Sequence, residues 1–399
     1  MVIIHYSDFV YILTILASLR FIFMVKLLNK NDDDEAEKPS SAQIVASIDD
    51  LLIEIIRRVP FKTLVQLPLV SKYWSSLILD PKLCLLRNRP AVGLIFEGLT
   101  IGHEYIDIAT NHPHSYIIFL DKSIIPPFRN ITPTKDTWYR HCEILQSCNG
   151  LLLCIVVLDN SMIIRGIYLA FDPSKSPHYK VVCVLKPFGN GLHLFEVYSS
   201  ETGSWRKGGE IFNWYAEFNF ENGVYWNGAI HWYRRSVYLN LDCDQTPKVF
   251  PKPPLQYKCY DKFDYYFGES CDHLHFVDAK SPLAEFIVYE MKRDYSEWFV
   301  KYKINIPEIE RDYSEWFAKF EGTFIVPGLE NMTRRYTLVR GKSDEDSFLV
   351  IAIGKRIVRY NIEQKTCETL CDFESTVGDR PVYWGVKRPF QYIESICSV

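Results

Sequence analysis

The sequence has no Cys-x-x-Cys pair, no Gly-x-Ser-x-Gly, no His-Glu-x-x-His, no Gly-x-Gly-x-x-Gly and no Walker-type phosphate loop. The first absence removes the usual zinc-ribbon spacing. The others remove the nucleophile elbow, the zincin helix, the dinucleotide-binding turn and the phosphate cradle. Carboxylates are plentiful, but no spacing singles out an acid–base pair. An excess of basic charge is also missing: the formal net charge is −4. Phosphate neutralisation needs local basic excess, and the pairs Arg57-Arg58, Arg234-Arg235 and Arg334-Arg335 are scattered, so nucleic acid is not an expected partner. Long apolar runs are absent too. The uninterrupted stretch Phe9–Leu19 is eleven residues, short of the ~20 that span hydrocarbon.

What is present is an ordinary soluble balance, 48% hydrophobic and 24% charged, with an aromatic share of 15%. Tyr and Phe each occur 25 times, which favours strands, where flat rings fit a pleated, half-buried surface. The 11 cysteines are dispersed, several inside apolar runs such as LLLCIVV and YKVVCVL. A thiol there behaves as a small hydrophobe, a usage suited to a reducing compartment.

Residues 1–43 form an apolar segment followed by an acidic linker, Asn31–Gln43. Three readings of the apolar part stand. Met24 opens a tidier N-terminus, making 1–23 a start-site extension. Alternatively, residues 1–25 are a marginal membrane anchor whose Arg20 snorkels. A signal peptide is the third, although no Lys or Arg precedes the run and Asp8 sits where positive charge is wanted.

Helical periodicity begins at Ile48. In IDDLLIEIIRRVP, residues Leu51, Leu52, Ile55, Ile56 and Val59 share one arc, with acids at the start and arginines at the end as the helix dipole favours. Pro60 stops this helix and Pro68 a second, about Lys62–Leu67. A third, about Leu69–Leu79, carries Val70, Tyr73, Trp74, Leu77 and Ile78 on one side. Three short helices over 44–90 bury little by themselves. Their apolar excess either packs on the following domain or forms a docking face for a helical partner.

The stretch IDDLLIEIIRRVPFKTLVQLPLVSKYWSSLILDPKL resembles an F-box, the three-helix module that docks on the Skp adaptor of SCF ubiquitin ligases. It departs from the pattern where Ile48-Asp49 replaces the frequent Leu-Pro. The resemblance implies adaptor contact through Pro60, Leu64, Val70, Trp74 and Leu77 and, through the adaptor, a cullin.

From residue 91 to 399 the helical period disappears. Short apolar runs such as GLLLCIVVL, YKVVCVLK, GVYWNGAIHWY and SFLVIAIG alternate with Gly, Pro, Asn and Asp clusters, the pattern of an all-β barrel, sandwich or propeller. Strand-ending anchors recur at Phe171, Tyr198, Leu241, Tyr289 and Tyr360, and two of the intervals, 43 and 48 residues, match propeller blades. The fold expected is therefore α+β multidomain: a small three-helix unit before a large all-β domain, a β-propeller of about six blades. RDYSEWF occurs at 293–299 and again at 311–317; the repeat reads as a recent tandem duplication or a gene-model error, its extra copy forming a loop or strained hairpin. Asn149-Gly150, Thr202-Gly203 and Asn227-Gly228 are turn formers. Trp205, Trp226 and Trp232 are expected to pack between blades.

The segments ILQSCNGLLLC, YLAFDPSKSPHYKVV, FEVYSSETGSW and NGVYWNGAIHWY resemble the F-box-associated β domain of plant F-box proteins. Together the two resemblances imply a non-catalytic substrate-recognition subunit of an SCF-type ligase, located in cytoplasm or nucleus, or tethered if residues 1–25 insert. A target protein would bind the β domain. No cofactor is expected. The Cys271-Asp-His273-Leu-His275 cluster has metal-like spacing on a strand, but no fourth ligand is evident, and no metal is expected. The other function class compatible with the chain is a kelch-like propeller enzyme or sugar-binding protein, secreted or membrane-anchored.

Overall fold

The computed structural model describes residues 2–5, 48, 51, 53, 91, 93–101, 114–119, 142–156, 164–185, 192–208, 212–213, 220, 222–242, 247–255, 265–280, 285–309, 334–341, 343–353, 356–372, 376–377, 380–381, 383–386 and 389–393. Leu51 and Ile53 are helical, and Ile48 and Leu51 are exposed. The remainder of the expected three-helix unit lies outside the described residues, as does the second RDYSEWF copy.

The rest is strand. β1 (Val2–His5) is followed by a hairpin of β2 (Gly93–Ile101) and β3 (His114–Phe119). Next come β4 (Cys142–Cys148) and β5 (Leu151–Val156), with β1 added antiparallel to β5. β6 (Ile164–Ala170), β7 (Lys180–Leu185), β8 (Leu192–Ser199), β9 (Ser204–Lys207) and β10 (Phe212–Asn213) make one sheet. Three four-stranded meanders follow. The first is β11 (Val224–Trp226), β12 (Ala229–Trp232), β13 (Val237–Asn240) and β14 (Lys248–Val249). The second is β15 (Tyr265–Ser270), β16 (His273–Lys280), β17 (Glu285–Met291) and β18 (Trp298–Asn305). The third is β19 (Arg334–Val339), β20 (Phe348–Ile353), β21 (Arg356–Asn361) and β22 (Thr366–Asp372). A small pair, β23 (Thr376–Val377) and β24 (Arg380–Pro381), leads to β25 (Tyr383–Val386) and β26 (Phe390–Tyr392). Both of these last strands pair with β2, so the end of the chain closes onto the first strand after residue 90.

Side chains alternate across each strand, and here the two faces serve two neighbouring sheets. On β17, Phe286 and Val288 pack toward β19–β21, whereas Ile287, Tyr289 and Met291 pack toward β11 and Phe250. On β20, Leu349 and Ile351 face the β15–β18 sheet, whereas Val350 and Ala352 meet Leu94 of β2. On β6, Tyr168 and Ala170 join β12–β13, and Leu169 joins β4–β5. A strand buried on both faces needs an unbroken apolar run, which is what EFIVYEM and KVVCVL supply. Each fully buried aromatic such as Tyr289 or Phe276 contributes about 1.5–3 kcal/mol. A hydrogen bond nets about 1 kcal/mol, so sheet-to-sheet packing dominates over the ladders. β26 also lies against β4, where the Ser147 hydroxyl donates to the Gln391 carbonyl at 2.5 Å.

The first hairpin of three of the sheets turns through left-handed backbone. Asn149-Gly150 joins β4 to β5 and Asn227-Gly228 joins β11 to β12, all with positive φ, the turn that matches strand twist. Between β15 and β16 the same role falls to Cys271 and Asp272, with φ of 50° and 63°. Each turn is tied to another sheet: the Asn149 amide donates to the Phe171 carbonyl at 2.7 Å, the Asn227 amide to that of Arg293 at 3.2 Å, and the Cys271 thiol to that of Arg340 at 3.2 Å.

Among the tryptophans, Trp226 and Trp232 are buried as expected. Trp205 departs from expectation. It is 47% exposed on β9, whose every residue faces solvent, and it covers Tyr198 at a ring separation of 5.5 Å. β9 pairs with β8 at the sheet's edge, and no further sheet among the described residues covers it.

Candidate functional site

The five adaptor-facing positions, Pro60, Leu64, Val70, Trp74 and Leu77, lie outside the described residues. Within the β domain, two constellations stand out.

The first grows from the metal-like cluster. Cys271 belongs to the turn and not to β16, and its thiol points to the Arg340 carbonyl, so it does not share a strand face with the histidines. His273 and His275 both approach Glu290 on β17, His273 Nδ1 at 2.7 Å and His275 Nε2 at 3.5 Å. Arg340 Nη1 sits 2.9 Å from the same carboxylate and its Nη2 3.0 Å from Asp344. Asp344 also accepts from Tyr302 at 2.6 Å and from Lys301 at 3.0 Å. Burial disfavours charge on Glu290, but the hydrogen bond from His273 and the electrostatic pull of both imidazoles prevail and hold its carboxyl well below the ordinary range. His275 is fully buried, and desolvation first of all lowers it to about 4. A guanidinium thus occupies the place a cation would take. Among the described residues no group of three or more His, Cys, Asp or Glu is placed to hold a metal. This network is a clamp between the β15–β18 and β19–β22 sheets.

The second is a cavity of about 310 Å³ where β4, β6, β11, β15 and β26 converge. Such a volume lies at the lower end of small-ligand sites. Its walls are built by close approach. The Tyr168 ring lies over Gly166 and Gly223, and the Tyr266 ring over Gly268; a Cβ at any of these glycines would overlap the ring. The Tyr168 hydroxyl donates to the Phe220 carbonyl. Gln391 on β26 ties the wall together: its amide donates to the carbonyls of Glu269 at 2.9 Å and Leu338 at 3.2 Å, and its Oε1 accepts from Ser270 at 3.3 Å.

Of the residues lining this cavity, Glu269 and Arg165 carry charge. Arg165 is exposed. Glu269 is deep in the fold yet retains accessible surface, because it faces the cavity. Its Oε1 accepts from the Asp272 amide at 2.7 Å. Burial first, then the charges of Asp272 and Asp172, raise its carboxyl to about 7 against the lowering effect of that hydrogen bond. Nothing in the sequence around Glu269 marks it; a single carboxylate on a strand acquires meaning when five strands from distant segments meet.

Among the described residues no helix is long and apolar enough to cross a membrane, and Val2–His5, part of the apolar N-terminal segment, form the strand on β5. Comparison with known proteins supplies the rest. An F-box domain profile matches residues 49–86, inside the segment read as three short helices. F-box protein At5g07610 of Arabidopsis thaliana is 30% identical over 413 residues, covering 90% of this chain and 94% of its own length. F-box protein At5g42460 of the same plant is 25% identical over 257 residues, covering 54% of this chain and 64% of itself. With similarity running through both the F-box segment and the β region, the chain belongs to the plant F-box proteins.

Proposed function

We propose that this chain is the substrate-recognition subunit of an SCF-type E3 ubiquitin ligase. The F-box, residues 44–90, holds a Skp-type adaptor through Pro60, Leu64, Val70, Trp74 and Leu77, and the adaptor joins it to a cullin. The β domain, residues 91–399, holds the target. The chain performs no covalent chemistry. It acts by proximity, raising the effective concentration of a bound target at the site of ubiquitin transfer. Its place is the cytoplasm and nucleus. The observation that carries this reading is the F-box match at 49–86 within a chain similar to an F-box protein along nearly its whole length. The same match weighs against the carbohydrate-binding or enzymatic propeller.

The β domain is read as a six-bladed propeller. Supporting this are six sheets of three or more strands among the described residues, the sharing of buried clusters by successive sheets, and the pairing of β2 with β25 and β26. Contact between β26 and β4 completes the circuit. The cavity then lies where the innermost strands of several blades meet.

The test is co-purification with a Skp-type adaptor, comparing the natural chain with Val70→Asp and Trp74→Ala. Capture of the adaptor by the natural chain and its loss in both folded variants is expected. Undiminished capture by the variants refutes the interface, and no capture by the natural chain refutes the function.

A further inference from the structure

The Glu269 cavity holds a carboxyl that has no cationic partner among the described residues. The carboxylates whose charge reaches Glu269 each have their own cation: Asp172 has Lys175 at 3.3 Å and Asp272 has Arg293. For Glu269, no lysine, arginine or histidine among the described residues makes an ion pair, and its one hydrogen bond there comes from a backbone amide. The charges that bear on its carboxyl, Asp272 and Asp172, are negative, and Arg165 is not among them. Negative charge also dominates at Tyr225, which lines the same cavity. Burial raises its phenol, and Asp172, Asp242 and Asp272 raise it further. The pocket is a partly open cleft with Glu269 in its wall and exposed Arg165 among its lining residues, lined in part by Tyr225, Tyr266 and Phe390.

A buried carboxylate without a counter-ion costs free energy. A positively charged guest repays that cost by supplying the missing partner in a low-dielectric site. The aromatic lining suits the same guest, since ring faces attract cations when desolvated. Metal cations are less suitable, because a single carboxylate is too few hard ligands. A guanidinium would use one of its five donors on the free carboxylate oxygen and leave the others to be satisfied elsewhere. An ammonium on a flexible stem places a compact charge at the carboxylate and apolar methylenes against the rings.

We propose that this cavity binds an alkylammonium group, with Glu269 as its counter-charge and Tyr225, Tyr266 and Phe390 as its aromatic walls. A lysine side chain of a target protein and a free alkylamine share this chemistry. The proposal deepens the reading of the β domain as the target-binding part, and rests on that reading where the guest is a protein side chain. In the free protein the Glu269 carboxyl is half-protonated near neutrality. Occupation by a cation expels that proton, so binding tightens as pH rises.

Calorimetric titration of the full chain, purified with its adaptor, tests this using n-butylammonium, the peptide Gly-Gly-Lys-Gly-Gly, and two neutral controls, n-butanol and the Nε-acetylated peptide. Binding of at least one amine, absence of binding by its neutral control, and a loss of about tenfold or more in Glu269→Gln are expected. A loss of similar size on going from about pH 8 to about pH 6 accompanies it in the natural chain and not in the variant. The Gln amide still accepts the Asp272 hydrogen bond, so Glu269→Gln keeps the fold, which its unfolding midpoint verifies. Tighter binding of the peptide points to a protein side chain, and tighter binding of butylammonium to a free amine. Equal binding by the natural chain and Glu269→Gln, or no amine binding at all, overturns the proposal. Capture of the adaptor in the same preparation is scored separately, so loss of amine binding is not confused with failure of the ligase reading.

Discussion

Tyr295 and His231 are joined in two ways: the phenol oxygen lies 3.0 Å from His231 Nε2, and the two rings stack with 5.6 Å between centroids. His231 Nδ1 faces the Val224 carbonyl at 3.3 Å, which fixes the tautomer: Nδ1 donates and Nε2 accepts the Tyr295 proton. Tyr295 belongs to the first RDYSEWF copy, in the β17–β18 turn, and has a positive φ of 62°. The turn reaches onto the preceding sheet, where Tyr295 stacks on Tyr238 at 4.4 Å and the nearby Trp298 indole donates to the Pro251 carbonyl at 2.7 Å.

Tyr295→Ala should therefore destabilise the β domain by about 3 kcal/mol, the scale of a large-to-small aromatic truncation. Tyr295→Phe should lose less, about 1–2 kcal/mol, since only the hydroxyl's bonds to His231 and Asn227 go while the ring stacking stays. Denaturant unfolding checks both. Equal effects of the two substitutions would show that the stacking contributes nothing.

Acidification sets two buried histidines against one carboxyl. Desolvation lowers His231 to about 3 and His275 to about 4. The unfolded chain protonates both from about 6.5 downward, so each subtracts stability as pH falls, about 2 kcal/mol at pH 5. Glu269 works the other way. Its raised folded value means that the fold keeps a proton the unfolded chain releases between about 4.5 and 7, so acidification returns stability there. The natural chain should show a shallow change in unfolding midpoint between pH 7 and 5. Glu269→Gln should fall steeply over the same range, and adding His231→Gln should flatten it again. A Glu269→Gln curve parallel to that of the natural chain would contradict the assignment.

The first strand after residue 90 and the last two strands meet in one sheet. Gly98–Ile101 of β2 pair with Tyr383–Val386, and Gly93–Ile95 pair with Phe390–Tyr392. Removing residues 383–399 strips both partners from β2 and removes Gln391 from the cavity wall. The truncated chain should lose cooperative thermal unfolding and become sensitive to proteolysis. A cooperative transition close to that of the full chain would show that closure is dispensable.

Much of this was legible as pattern. Apolar runs bounded by Gly, Pro, Asn and Asp gave strands such as KVVCVL and EFIVYEM, and Asn149-Gly150 and Asn227-Gly228 form the tight turns their residue types favour. Local chemistry carries that information. The Cys271-Asp272 turn was not legible, because neither residue advertises a left-handed pair, and the Cys-His spacing instead suggested a metal. Trp205 was misplaced because composition cannot tell an edge strand from a covered one. Glu269 escaped notice because the site depends on segments from residues 145 to 393, and local sequence does not encode their convergence.

The last prediction concerns the clamp between the β15–β18 and β19–β22 sheets. Glu290 and Arg340 are both largely buried, with 8% and 12% of their side chains accessible. Removing one charge breaks the buried pair and leaves Arg340 with exposed Asp344 alone, or Glu290 with the imidazoles alone, at about 3 kcal/mol, whereas replacing both with neutral side chains of similar volume costs less. Glu290→Gln and Arg340→Met should each destabilise strongly, and the double variant should fall well short of their sum, giving a coupling of about 1–3 kcal/mol in a double-mutant cycle. Because Arg340 already occupies the carboxylate that His273 and His275 approach, a chelator should leave the unfolding midpoint unchanged. Additive single effects would reduce the clamp to two unrelated contacts, and a midpoint lowered by chelation would replace the arginine with a metal.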